Sequence, residues 1–528
     1  MINEMKMTKT MFKTITLTLT AVGTLMFMVS IGQTKDPLLF PKDNFTVETK
    51  TVKTSLGEKK VTYRSYMHIP YVAKPVDKDY QSLNVSVPVS IDGVQVNTAN
   101  APIVFVIGVG GYMSVRNVSS NVARPEGEMG APPAGAPGMG PRDGGPGKMP
   151  GGMPPRGGRP GGMGAGSDRG DLALTAGYVV VSPGCRGRDN KAADGTYYGK
   201  APAVIVDLKA AVRYIRHNKG ILPGNTEQIV SVGCSAGGAV SAVLGASGNS
   251  PLYESYLKEI GAADGRDDIY ACACYSPITD LEHADGAYEW MYGNTPGNSG
   301  LVDQELSKQL KALNAEYQSS LHLQGKNGFG SITADNYGDY LLQYYLVPSA
   351  NKFLKGMTDE KRKEYLAANN WINWKNDEAK FSFKDYVASV GRMKNLPAFD
   401  DFENQKPEPS EFGNATVNTR HFTDFSLRHS SGNANATLEP EVIMQRNMMN
   451  PMYFVSQRNS GCAIKWWLRN GTRDNDTSQP IMVNLATSLE NNLKRDVNAW
   501  DFWDAGHCQD NDPDSFIAWI GQITGHSK

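Results

Sequence analysis

The stretch Ile229-Val230-Ser231-Val232-Gly233-Cys234-Ser235-Ala236-Gly237-Gly238-Ala239-Val240-Ser241-Ala242-Val243-Leu244-Gly245-Ala246 decides the fold. Its first four residues form a short β-rich run, its centre a Gly-rich corner, and Ala239 to Ala246 a helix of small residues. Upstream, Ile103 to Ile107 and Tyr178 to Val181 are continuous apolar runs, the pattern of strands buried on both faces. Between them and the corner, Val204, Leu208, Ala211, Val212 and Ile215 share one helical face. Strand and helix alternating in this way predict an α/β fold with a doubly wound, mostly parallel sheet.

Downstream the rhythm breaks. Residues 281–448 are rich in charged, aromatic and amide side chains, with helix-like stretches over Gln304 to Tyr317 and Asp359 to Ala368. So long a segment reads as an inserted helical cap (lid) domain rather than a loop. The alternation resumes at 449–528 with Ala463 to Leu468, Ile481 to Leu493 and Ala499 to Trp503. The core is therefore expected in three pieces, 33–123, 169–280 and 449–528. Between the first two lies a Gly/Pro-rich insertion, 124–168. Its 42 residues from Pro125 to Gly166 include 16 Gly and 10 Pro, too little side chain to offset chain entropy. It is expected to be disordered.

The chain opens with Lys6, Lys9 and Lys13, an apolar run from Ile15 to Ile31, and small residues at Ser30 and Gly32. This is the layout of a cleaved secretory signal peptide over residues 1–32; an uncleaved anchor is the alternative. Secretion or a periplasmic location follows from the first reading. Over all 528 residues, 53 Lys+Arg face 54 Asp+Glu. That balance gives no reason to expect a nucleic-acid partner or, once the signal is removed, a membrane one. With 40% hydrophobic residues and eight Trp, the chain is neither collagenous nor globally disordered.

Gly233-Cys234-Ser235-Ala236-Gly237 is a G-x-S-x-G between a predicted strand and helix, the setting of an α/β-hydrolase nucleophile. In that fold an acid and then a histidine follow the serine in chain order. Asp474, in Arg469-Asn470-Gly471-Thr472-Arg473-Asp474-Asn475-Asp476-Thr477, and His507, in Asp504-Ala505-Gly506-His507-Cys508, satisfy the order just after predicted strands. Asp476 and Asp504 rival Asp474. His283, His421, His429 and His526 fit order or context less well. The N–H of Ala236 is one expected oxyanion donor, and the loop Gly108-Val109-Gly110-Gly111-Tyr112 supplies the second through Gly110 and Gly111 unless those glycines only ease a turn. Cys234 and Cys508 adjoin Ser235 and His507, so a disulfide between them is geometrically open; free buried thiols are the alternative. Pairing of Cys185, Cys272, Cys274 and Cys462 is not legible. No spacing suggests a metal site, and the chemistry needs no cofactor.

These residues resemble the tannase and feruloyl esterase family of α/β-hydrolases, in particular its bacterial tannases. Cys234-Ser235, Asp474 and His507-Cys508 resemble a CS-D-HC pattern. Ser235-Ala236-Gly237-Gly238-Ala239, Leu281-Glu282-His283-Ala284-Asp285, Gly471 to Thr477, and Arg392-Met393-Lys394 with Pro397-Ala398-Phe399-Asp400 extend the likeness over Gly108 to His507. The Gly/Pro insertion departs from it. The resemblance implies a serine esterase acting on galloyl esters, with an Asp, a Lys and a Glu reading the ring hydroxyls. These roles carry over to Asp476, Lys394 and Glu411, with Glu403 and Glu408 as rivals for the last. A row of phenolic hydroxyls suits carboxylates and an ammonium, and such a site rejects analogues lacking them. A feruloyl or chlorogenate esterase is the nearest rival. A peptidase of the prolyl oligopeptidase type would need propeller repeats, which are absent from the sequence. A non-catalytic polyphenol- or glycan-binding scaffold is the rival of another class.

Overall fold

In the strands at the centre of the molecule, alternate side chains enter two different cores. Ile103, Phe105, Val179, Val181, Ile229, Cys272 and Cys274 join one; Val104, Val106, Val180, Val230, Val232, Ala271 and Ala273 join the other. The period of two thus places an apolar residue on each face at every step, and helices cover both faces. The computed structural model describes residues 36–117 and 165–526. Leu38–Lys528 is one contact unit.

The strands are β1 (Thr46–Thr54), β2 (Gly57–Pro70), β3 (Ser82–Ile91), β4 (Val94–Gln95), β5 (Pro102–Val106), β6 (Val179–Pro183), β7 (Asn225–Cys234) and β8 (Ala271–Tyr275). After the short hairpins β9 (Gln324–Gly325) with β10 (Gly330–Ser331) and β11 (Asn373–Lys375) with β12 (Glu378–Lys380) come β13 (Lys465–Gly471) and β14 (Asp496–Phe502). The main sheet runs β1-β2-β3-β6-β5-β7-β8-β13-β14, with β4 on β3. From β6 to β14 all neighbours are parallel; β1, β2 and β3 extend the sheet antiparallel. Helices Ala203–His217, Ala236–Ala246 and Gln479–Leu493 line one face, and Ala165–Thr175 and Pro513–Thr524 the other. This is the doubly wound α/β-hydrolase architecture the alternation predicts.

β8 and β13 are neighbours in the sheet although almost two hundred residues separate them in sequence. The chain between them includes the expected cap segment, 281–448, which supplies no strand to the main sheet. Its buried side chains, Tyr288, Tyr337, Tyr340, Phe399 and Phe412 among them, belong to the same core as the helices on the first face. The cap is therefore continuous with the body it covers.

The proposed signal segment lies outside the described residues, as does the Gly/Pro insertion up to Gly164. The insertion's expected end needs correcting: a helix already begins at Ala165. Its buried anchors, Leu172, Ala173 and Leu174, fall in its second half, and its Gly/Ser-rich front reads as linker. Among the described residues no helix is long and apolar enough to cross a membrane.

Candidate active site

Three loops at the C-terminal edge of the parallel strands meet at one point. Ser235 follows β7, Asp474 follows β13 and His507 follows β14. His507 Nε2 lies 2.9 Å from Ser235 Oγ, and His507 Nδ1 lies 2.9 Å from Asp474 Oδ2.

The turn at Ser235 depends on its glycines. Ser235 has φ 59° and ψ −128°, a conformation costing about 1–3 kcal/mol for an L residue. It is held by Ser235 N–H donating to Tyr275 O at 3.0 Å and by Ala239 N–H donating to Ser235 O at 2.9 Å. A Cβ on Gly233 would stand 2.2 Å from Gly237 O, and one on Gly237 would stand 2.6 Å from Val109 O. Glycine thus lets the corner close on itself and lets the loop after β5 pass against the start of the helix. Ala236 opens the helix Ala236–Ala246, where backbone N–H groups have no intrahelical acceptor. Gly110 and Gly111 are exposed in the passing loop, and Tyr112 anchors it by donating from its hydroxyl to Ile278 O at 2.6 Å.

Asp474 is buried, and its second carboxylate oxygen accepts from Asp476 N–H at 3.1 Å. The rival Asp504 is paired with Arg473. Asp476 approaches the histidine too, but on the serine side, with Oδ2 3.4 Å from His507 Nε2. Burial works against a charged His507; its hydrogen bond to Asp474 and the carboxylates of Asp474 and Asp476 outweigh that, so its pKa is raised above 6.5. Cys234 and Cys508 are joined by a disulfide, with Cα atoms 5.8 Å apart and 274 positions separating them in sequence. The bond ties the serine loop to the histidine loop. Cys185, Cys272, Cys274 and Cys462 are free and buried.

Beside the serine–histidine pair lies a charged cluster. Lys394 Nζ is 2.9 Å from Asp476 Oδ1 and 3.9 Å from the centre of the Phe399 ring. Burial disfavours its charge, but Glu408 first and Asp476 second reverse this and raise its pKa. Burial also penalises a charged Asp476, yet Lys394 and His507 hold its pKa low. Glu408 is buried, and desolvation, only partly countered by Lys394, raises its pKa. Its Oε2 has no hydrogen-bond partner among the described residues.

Lys394 and Asp476 therefore meet, and of the candidate glutamates Glu408 is the one whose charge acts most strongly on Lys394. Glu411 is fully buried, with both carboxylate oxygens unpartnered among the described residues. Desolvation pushes its pKa up to about 8, against the neighbouring charges of Arg188 and Lys200. The two glutamates sit one turn apart on the five-residue helix Pro407–Glu411, so motif spacing could not separate them. Glu403 lies before that helix.

Two cap residues that position the cluster had no functional role in the sequence reading. The Tyr288 hydroxyl accepts from Met393 N–H and Lys394 N–H, at 3.2 and 3.1 Å, and donates to Asn475 O at 2.8 Å. It ties the lysine's loop to the loop of Asp474 and Asp476. Asp285 accepts from Phe399 N–H at 2.7 Å and Asp400 N–H at 3.2 Å; burial and the adjacent Asp400 push its pKa up to about 7. Arg392, inside the Lys394 motif, forms a buried ion pair with Glu289. Among the described residues no group of three or more His, Cys, Asp or Glu could hold a metal ion.

The arrangement compares closely with solved structures. Tannin acyl hydrolase from Lactobacillus plantarum is 31% identical, with a TM-score of 0.74, over 92% of this chain and 99% of that one. The tannase of Fusobacterium nucleatum is 32% identical, with a TM-score of 0.73 over the same shares. The chain belongs to the bacterial tannase family. Another family structure, tannin acyl hydrolase in complex with ethyl gallate, is 30% identical with a TM-score of 0.75, over 92% of this chain and 99% of that chain. The BD-FAE family model matches residues 158–319, which contain the Ser235 corner. Esterase LipC of Mycobacterium tuberculosis is 31% identical over 102 residues, 19% of this chain and 22% of that protein. Tannase-family membership and these esterase relatives make the chain a carboxylic ester hydrolase.

Proposed function

We propose that this tannase-family esterase is exported and hydrolyses galloyl esters of plant polyphenols through Ser235, His507 and Asp474. Ser235 Oγ attacks the ester carbonyl while His507 Nε2 takes its proton. The oxyanion is held by the N–H of Ala236 and by the Gly110–Gly111 loop. His507 then protonates the departing alcohol, and in the second half it deprotonates the water that releases gallate. Asp474 fixes the imidazole tautomer and stabilises the imidazolium. The disulfide keeps the two catalytic loops in register, and its presence agrees with maturation in an oxidising compartment after loss of residues 1–32.

The observation that carries the acyl preference is the gathering of Lys394, Asp476 and Glu408 beside the serine–histidine pair. Three adjacent phenolic hydroxyls can donate to the carboxylates and accept from the ammonium, partnering the free oxygen of Glu408. A ring lacking those hydroxyls leaves the buried Oε2 of Glu408 without a partner, at a cost of about 1–3 kcal/mol. The BD-FAE match favours a second reading, a feruloyl esterase on the same catalytic groups. The two separate on kcat/KM for methyl gallate and methyl ferulate measured side by side, with Ser235→Ala as control. Gallate preferred by more than about 100-fold is expected. A ferulate preference would retain Ser235, Asp474 and His507 and discard the ring roles.

A further inference from the structure

The loop that follows β6, Cys185-Arg186-Gly187-Arg188-Asp189-Asn190, lies along the proposed oxyanion loop and its continuation to Val115, and bonds to them through Cys185, Arg188 and Asp189. Cys185 exchanges backbone hydrogen bonds with Val115, at 2.9 and 3.0 Å. Asp189 accepts from Ser114 N–H at 2.6 Å and from its hydroxyl at 2.8 Å. Arg188 makes the two contacts nearest the glycines. Its backbone N–H donates to Tyr112 O at 3.0 Å and its Nε to Gly111 O at 2.6 Å. The second bond of the same guanidinium goes to the cap: Nη1 donates to Ser410 Oγ at 2.8 Å. Ser410 lies on the helix that carries Glu408. Lys200 closes the circuit by donating to Arg188 O at 2.7 Å and Ser410 O at 2.8 Å.

The oxyanion loop needs such a restraint. Gly111 and Tyr112 have φ of 54° and 58°, and left-handed backbone is unfavourable for tyrosine. Gly110 and Gly111 are exposed, and a Cβ on either would meet nothing within 4 Å. On the Gly110–Gly111 side the loop gains no restraint from side-chain packing, so its backbone bonds set the orientation of the peptide between Gly111 and Tyr112. A trans peptide carries its C=O and N–H on opposite sides, so whatever holds Gly111 O also sets the direction of Tyr112 N–H.

We propose that Arg188 is a positioning residue for ester hydrolysis: by gripping Gly111 O it directs Tyr112 N–H of the oxyanion loop toward Ser235, and through Ser410 it links that loop to the helix bearing Glu408. Arg188 touches no reacting atom. Its effect is on the stabilisation of the tetrahedral intermediate, which no ground-state contact shares, so it acts on kcat rather than KM. The inference rests on Ser235 being the nucleophile but not on the galloyl preference.

The test measures kcat and KM of Arg188→Gln and Arg188→Lys on methyl gallate and phenyl acetate, beside the unmodified protein and Ser235→Ala. Affinity for phenylboronic acid is measured in parallel; boron takes Ser235 Oγ to form a tetrahedral adduct that uses the same donors. In Arg188→Gln, kcat falls about 10- to 100-fold on both esters, KM stays within about twofold and boronate affinity falls in step. Lysine, a single-point donor without the guanidinium fork, restores only part of the loss. If the glutamine variant does not fold, the lysine variant decides on the same split. Unchanged kcat overturns the proposal, as does a rise in KM confined to methyl gallate, which would make Arg188 a strut of the cap alone. Turnover surviving in Ser235→Ala would instead overturn the nucleophile assignment.

Discussion

The proposed nucleophile corner and the proposed acyl-side cluster lie side by side but are built in opposite ways. The corner is local: a strand, a turn at Ser235 and a helix bring backbone atoms together so closely that glycine is required at Gly233 and Gly237. A disulfide then fixes its one distant partner loop. The cluster is assembled at long range. Lys394 and Glu408 come from the cap and Asp476 from the loop after β13, joined by the Lys394–Asp476 ion pair, by the charge of Glu408 acting on Lys394 and by one tyrosine hydroxyl. The proposed ester chemistry sits on the rigid, local part. The part proposed to choose the substrate hangs on a few polar contacts and can be altered without disturbing the first.

Substitutions should therefore divide cleanly between the regions. Removing the nucleophile by Ser235→Ala is expected to lower kcat on every ester by about 10⁴-fold or more, because members of such a unit fail together. Lys394→Ala or Glu408→Gln should reduce kcat/KM for methyl gallate by about 10²-fold while leaving phenyl acetate within about threefold. Glu411→Gln should not reproduce that selectivity, since its carboxyl faces Arg188 and Lys200. Equal losses on both esters would erase the distinction between the regions. Tyr288→Phe removes the hydroxyl that three backbone groups share; about a tenfold loss specific to gallate is expected.

The smallest effect is a displacement of the pH profile, and it probes the one place where the regions touch. Ester attack needs neutral His507, so kcat/KM rises with pH through a midpoint set by its raised pKa, above 6.5. Asp476 holds that pKa up and Lys394 pulls it down. Asp476→Asn should accordingly move the acid limb to lower pH and Lys394→Met to higher pH, each read on phenyl acetate from pH 5 to 9. Shifts in the same direction would contradict the electrostatic account.

This contrast also explains what could be read from the sequence. The corner was legible because its demands are local: small residues at fixed offsets between a β-rich run and a helix. Asp474 and His507 followed from chain order and from their positions just after strands. Arg188, Tyr288 and Asp285 were not, because each acts on a loop far away in sequence and none carries a local signature. Tyr288, for example, meets Lys394 across 106 positions. Glu408 and Glu411 differ by one helical turn, and only the fold shows which of them acts on Lys394. The helix Ala165–Thr175 escaped because its apolar anchors come late, behind a Gly/Ser-rich start.

The central claim is that the chemistry lies on the corner and the choice of acyl group on the cluster. A crystal structure of Ser235→Ala soaked with methyl gallate tests it most directly. The account predicts ring hydroxyls on Lys394, Glu408 and Asp476, with the ester carbonyl oxygen against the N–H of Ala236. A ring that turns away from all three, or that contacts Glu411 instead, would contradict it.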